Sequence, residues 1–285
     1  MERSDMRQRF DRKGYITLTG VIDPDAVRFY VDRMTDLAGA FRRSWTQPDG
    51  VCRNPDFWPL IHNERILDAV RTILGPDIRF LQHNDLHVGF SSPGWHRDSV
   101  NRTWGVGPDW DERESPYRLV RVGIYMQRYE VSHFRLGLIP GSHRPDKHLS
   151  PEAHRAIERR SSTLAGLVAR VTRRDPLAGM ADWFAPDPGD CVIFDPRVIH
   201  TGSDFEGTKY AAFIGYGVPN CHYHHHRHYY THLRPDLGYQ PLDPVLVARL
   251  QAAGLYGGDT AAEGAIEGAW VPGAAYNYLA KRFKS

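Results

Sequence analysis

Cysteine is scarce in this sequence: Cys52, Cys191 and Cys221 are the only three among 285 residues, far apart and without a CxxC pair. That argues against a disulfide framework and against a structural zinc site, and it fits a reducing cytoplasm. Net charge is nearly absent too, at +2, so no dense field of one sign recruits nucleic acid or a membrane surface. No apolar run is long enough to span a bilayer, and the opening MERSDMRQRFDRKGYITL is too charged for a signal peptide. There is no internal repeat and no linker. These absences leave a small molecule as the expected partner of one large domain spanning residues 1–285. Nothing in the sequence sets an oligomeric state.

What is present is a β-type core, about residues 78–218, between an N-terminal helical elaboration (1–77) and C-terminal loops and helices (219–285). A short strand is expected at Tyr15–Leu18. A helix should follow Asp23-Pro24 through the periodic apolar set Val27, Tyr30, Met34 and Leu37, and another should run from about Phe57 to Leu74, ended by Gly75-Pro76. The core reads as short runs at Ile78–Phe90, Leu119–Gln127, Arg135–Ile139, Asp190–Phe194 and Lys209–Val218, punctuated by Gly, Pro, Asp and Asn. That pattern predicts an antiparallel sheet arrangement with flanking helices and not βαβ units. Irregular insertions at Asn101–Arg118 and Pro145–Pro188, the second with a helix around Pro151–Arg160, are placed to form lids and walls. Further helices are expected at Asp243–Ala253 and Ala274–Phe283.

Alternation assigns side chains to faces. Val120, Val122, Ile124 and Met126 share one face of their run, Arg121, Gly123, Tyr125 and Gln127 the other, and His83, Asp85 and His87 lie together on the preceding run. So polar an inward face suits a site in a barrel mouth. The strongest chemical signal is Gly94-Trp95-His96-Arg97-Asp98, an HxD pair whose alternate residues project to the same side. His200, at the end of the apolar run that follows the turn at Pro188-Gly189, is the best third ligand. Two imidazoles and a carboxylate can occupy one face of an octahedral Fe(II), leaving three adjacent positions open. An HRD triplet also occurs in kinase catalytic loops. Here the spacing to a downstream Asn, a DFG triplet and a glycine-rich phosphate loop are all missing, so that reading is rejected.

These motifs make the chain resemble the phytanoyl-CoA dioxygenase family of Fe(II)/2-oxoglutarate oxygenases from about Phe10 to Val218. FDRKGYITLTGVIDPDAV is similar to the family's opening phrase, WHRD to its proximal metal motif, LIPGSHR to its Pro-Gly-Ser-His turn, and GDCVIFDPRVIHTGS to its distal strand. The resemblance implies a double-stranded β-helix (jelly roll, cupin-like), with His96, Asp98 and His200 binding iron and with 2-oxoglutarate and O2 as cosubstrates. It also implies a basic residue, usually arginine, about ten positions beyond the distal histidine to grip the cosubstrate's far carboxylate. Lys209 is the only basic candidate there and reads equally as an exposed strand-end lysine, with Arg197 or Arg121 as alternatives reaching in from elsewhere. His87 stands where relatives place a polar residue touching the cosubstrate, and it reads equally as a hydrogen-bonded barrel histidine. Halogenating relatives replace the metal-binding carboxylate by a small residue, so Asp98 favours hydroxylation or a related oxidation.

His83, Asp85, Arg97, Trp104, Arg121 and Tyr125 are candidate substrate contacts, with Asp85 suited to an amine or hydroxyl. His83, Asp85 and His87 do not form a second metal site, because ligands along one extended strand span too far for a single ion. The tract Cys221–Tyr230 is rich in histidine but lacks fixed ligand spacing. It reads as a surface or loop-packing segment that could touch substrate if it folds over the mouth. The expected substrate is a polar small molecule, first an amine-bearing secondary-metabolite intermediate, second a phosphonate or compatible solute. A cupin-like metal hydrolase or isomerase and a non-enzymatic ligand sensor are the rival classes.

Overall fold

The computed structural model describes residues 2–40, 44–91, 94–144, 150–161, 168, 175, 177–261 and 263–270. The expected helix Ala274–Phe283 lies outside the described residues. Nine strands are assigned among the described residues: β1 Tyr15–Leu18, β2 Trp45–Pro48, β3 Arg79–Val88, β4 Leu119–Tyr125, β5 Leu136–Leu138, β6 Asp182–Phe184, β7 Cys191–Phe194, β8 His200–Gly202 and β9 Tyr210–Gly217. They pair antiparallel throughout, as a larger sheet in the order β1-β7-β4-β9-β3-β2 and a smaller one in the order β6-β5-β8. Each apolar set of the large sheet packs on one of two sides. Val120, Val122, Ile124, Cys191, Ile193, Ala212 and Ile214 join the helices in the main core, whereas Tyr125, Val192, Phe194 and Ala211 meet Leu136 and Leu138 of the small sheet. This is the double-stranded β-helix expected from the sequence, with helices on its outer face.

The helix Pro24–Ala38 forms as anticipated. The Asp23 side chain accepts from the Ala26 N–H at 3.0 Å, and Val27, Tyr30 and Met34 are buried. The second expected helix is broken into a 3₁₀ turn at Pro55–Phe57, a single turn at Trp58–Ile61, and a helix at Glu64–Leu74 that starts afresh where the Asn63 side chain caps Ile66 N–H. A helix with no strong apolar period in its sequence, Arg3–Lys13, precedes β1. It ends at Gly14, whose φ of 84° and tight contact with His143 and Val198 admit no side chain. No helix among the described residues is long and apolar enough to cross a membrane.

The β3–β9 register shifts between Leu81 and Asp85. The bulged residues have partners of their own: Gln82 and Asn84 donate to the buried Asp49 carboxylate, and Asn84 Oδ1 accepts from the backbone of Val51 and Cys52. This irregularity holds the strand against the segment before it while His83, Asp85 and His87 all line one cavity.

Candidate metal centre and its cavity

The segment carrying His96 is tied to β8 by its backbone. His96 N–H donates to His200 O and His200 N–H donates to His96 O, each at 3.0 Å, and Asp98 N–H donates to Pro196 O at 2.8 Å. Two histidines distant in sequence are thereby fixed side by side, with ring centroids 4.3 Å apart and planes tilted by 51°. Both tautomers are set the same way: His96 Nδ1 lies 2.7 Å from Gly94 O and His200 Nδ1 3.0 Å from Val198 O, which turns both Nε2 atoms inward. His96 Nε2 stands 3.7 Å from Asp98 Oδ1 and His200 Nε2 3.8 Å from Asp98 Oδ2. These separations are too long for hydrogen bonds, yet the three ligand atoms lie within 4.8 Å of one another. Burial, then the neighbouring His200, pushes the His96 imidazole down to about 4, and burial also lowers His200. Burial opposes ionisation of Asp98, but His200, Arg121 and His96 outweigh it and hold the carboxyl below its usual range. Neutral imidazoles with inward Nε2 atoms beside an ionised carboxylate are a donor set that fits Fe(II) and leaves one side open.

That open side faces a cavity of about 280 Å³, at the small end for ligand sites. Its inner wall is Tyr125, Phe134, Phe213 and Lys209. Gly123 lets the Phe213 ring in, since a Cβ there would meet it at 2.8 Å. Lys209 is buried with no carboxylate partner among the described residues. Its Nζ donates to Phe90 O at 3.0 Å and lies 4.3 Å over the Phe134 ring, and desolvation pushes its ammonium down to about 7. The Tyr125 hydroxyl is buried without a hydrogen-bond partner. His87 lies between the Phe90 and Phe213 rings, and burial, then Lys209 and Arg121, lowers its pKa. Asp85 bonds Arg121 at 2.8 Å, and Arg121 Nε approaches Asp98 Oδ2 at 3.9 Å. A larger open groove on the outer helices pairs its own charges, as in Arg3–Asp68, and lies remote from these donors.

Three sequence candidates are not in the cavity wall. Arg197 is buried, forked onto Asp195 at 3.1 and 2.9 Å, bonded to Glu112 at 2.8 Å and stacked 3.9 Å over Tyr117. It ties the Pro108–Trp110 turn region to the β7–β8 connection, so it does not reach a cosubstrate. Replacing Arg197 by Met should cost about 3–5 kcal/mol by leaving Asp195 buried and unpaired, while 2-oxoglutarate affinity stays within twofold. Urea unfolding and a binding titration check the two halves. Arg97 points away because the alternation that sends His96 and Asp98 inward sends it outward, onto Glu158 at 2.7 Å. Trp104 stacks on His154.

The histidine-rich tract is a buried helix, Cys221–His228, not a loop. Asn220 caps it, and a π turn at Tyr229–Leu233 continues it. Its histidines are spent singly: His226 Nε2 lies 2.9 Å from His83 Nδ1, while His222 and His228 meet the backbone of Ser115 and Gly264. The turn delivers Tyr230 into the cavity, its ring stacked on His83 at 3.5 Å. Arg102, Arg234, Leu237 and Trp270 also line the mouth and were not singled out from sequence. They stand on connections where no periodicity marks a face.

A jelly roll with two histidines and a carboxylate at one end of its barrel is an arrangement that fits a single non-heme metal ion. The chain belongs to the phytanoyl-CoA dioxygenase (PhyH) family, whose model matches residues 10–210, and is an Fe(II)- and 2-oxoglutarate-dependent oxygenase. No curated protein matches it in sequence. Among solved structures it is similar to HygX from Streptomyces hygroscopicus with iron bound, at 19% identity and TM-score 0.53 over 75% of this chain and 86% of that one. A second HygX structure, with nickel, 2-oxoglutarate and hygromycin B, matches at 19% identity and TM-score 0.51 over 75% and 87%. The epimerase SnoN, in complex with Fe3+, α-ketoglutarate and nogalamycin RO, matches at 16% identity and TM-score 0.50 over 75% and 83%. At such identities the likeness is one of fold.

Proposed function

We propose that the protein oxidises a C–H bond of a small polar metabolite, most simply by hydroxylation, with iron held by His96 Nε2, the Asp98 carboxylate and His200 Nε2. The observation that carries this reading is the convergence of three metal donors and one buried, uncompensated ammonium on a single cavity. Iron bound by these three residues would supply O2 activation, coupling conversion of 2-oxoglutarate to succinate and CO2 with oxidation of the substrate. The protein groups position and exclude. Lys209 and the unpartnered Tyr125 hydroxyl receive the far carboxylate of 2-oxoglutarate, and His87, kept neutral, borders it. Phe134, Phe213 and Tyr125 keep water from that end. Arg121 braces Asp98 from behind while bonded to Asp85.

The fold relatives that hold nogalamycin RO and hygromycin B support a substrate of secondary-metabolite type. A hydroxyl placed on a carbon that also carries an amine would collapse to a ketone, with the hydroxyl proton and the amine leaving as ammonia. Succinate release should require Fe(II), 2-oxoglutarate and O2 together, and a metabolite panel screened by mass spectrometry should yield a product heavier by one oxygen. A metal hydrolase of the same fold would release product without O2 or 2-oxoglutarate, and that result would overturn the assignment.

A further inference from the structure

The charged groups of the cavity can be paired off one by one. Asp85 is taken by Arg121 at 2.8 Å, and Arg234 forks onto Asp236 with two contacts of 2.8 Å. Asp98 belongs to the metal centre and Lys209 to the cosubstrate end. One charge is left over. Arg102 has no carboxylate partner among the described residues, and its Nε is buried without a hydrogen bond. The carbon of its guanidinium lies over the Trp270 ring, 3.6 Å from the centroid. A cation held over an indole face keeps its place while its N–H groups serve a planar or tetrahedral anion.

The platform is built, not incidental. Trp270 N–H donates to Val100 O at 3.0 Å, Asn101 Nδ2 to Glu267 O at 2.9 Å, and the Tyr229 hydroxyl to Trp270 O. Arg97 donates to Arg102 O at 2.8 Å. The backbone around both members of the pair is therefore held by Arg97, Val100, Asn101 and Tyr229. A cation at the partly exposed mouth, beside the metal donors and opposite the buried Lys209 end, is placed to hold the part of a substrate that stays outside while a C–H bond enters.

We propose that Arg102, seated on Trp270, binds an anionic group of the primary substrate, a carboxylate or phosphate, and so sets which carbon faces the metal. The inference rests on the oxygenase reading above and names its substrate class. It departs from the amine-bearing substrate expected from sequence, because neither cavity carboxylate is uncommitted.

The test is calorimetric, on protein loaded with redox-inert Zn(II) and saturating 2-oxoglutarate, whose own binding is measured first. Phenyl phosphate, benzoate and neutral benzyl alcohol are then titrated. At least one anion should bind about tenfold or more tighter than the alcohol, and the tighter one identifies the group. Arg102→Gln should weaken that anion by roughly 10- to 100-fold, with Arg102→Lys between the two, while 2-oxoglutarate affinity is unchanged. Equal binding of the alcohol, or an anion affinity indifferent to Arg102→Gln, overturns the proposal. Failure of 2-oxoglutarate to bind the wild-type protein would instead overturn the oxygenase reading.

Discussion

Asp98→Ala is expected to emerge from purification without bound iron and to form no succinate above background. Asp98 supplies the only anionic donor of the triad, and its backbone N–H is held by Pro196 O, so the surrounding chain keeps its place when the side chain goes. What changes is local charge: Arg121 retains Asp85 but loses the carboxylate 3.9 Å from its Nε, and two neutral imidazoles alone face a divalent cation. The loss in metal affinity should exceed the roughly 100-fold that removal of an outer hydrogen bond to a ligand costs. Metal content after dialysis, and the visible absorption that forms when Fe(II) and 2-oxoglutarate are added without O2, read the effect directly. Wild-type metal content in the variant would falsify the triad.

Lys209→Met should raise the KM for 2-oxoglutarate by roughly 30-fold to several thousand-fold, the range that follows from removing one member of a buried charge pair at about 2–5 kcal/mol. The same substitution should raise the melting temperature of the cosubstrate-free protein, because a desolvated ammonium with no counter-charge gives way to an apolar side chain of similar length. A residue kept only for packing would not move the two measurements in opposite directions. The pH dependence has a definite sign. Burial lowers the free-state pKa to about 7, and a bound carboxylate raises it again, so binding needs the ammonium form. Affinity for 2-oxoglutarate should be full below that value and weaken as pH rises through it. Lys209→Arg, charged at every accessible pH, should flatten the profile.

The parts of the molecule with a strict local period were legible in the chain. Tyr15–Leu18 is a strand with the expected bounds, and the two faces of β4 separate as alternation demands, Val122 and Ile124 to the helices, Arg121 and Tyr125 to the cavity. His83, Asp85 and His87 reach the cavity although a bulge interrupts their strand. What failed was anything decided by contacts distant in sequence. Arg197 stands close to His200 in the chain and reads as available, yet Glu112 and Tyr117, far back along the chain, capture it together with the neighbouring Asp195. The tract Cys221–Tyr230 packs on loops as the sequence allows, with His222 and His228 meeting the backbone of Ser115 and Gly264, but nothing local announces its helix Cys221–His228 or the contact of His226 with His83. Pro59 and Asn63 split a helix that hydrophobic periodicity alone would have run through. Arg102 and Trp270 meet across a long stretch of chain, with no pattern in either neighbourhood to announce it.

The paired backbone bonds between His96 and His200 have a bearing on which ion the protein carries. A site assembled by hydrogen bonds of the chain itself exists before metal arrives, so no folding step is left to discriminate among divalent ions. Nitrogen and carboxylate donors at fixed spacing hold Co2+, Ni2+ and Zn2+ more tightly than Fe2+. Iron occupancy is then a matter of supply and not of selection. Where zinc or nickel is plentiful the protein would be filled and silent, its cavity intact and ready to hold cosubstrate and substrate without turning them over.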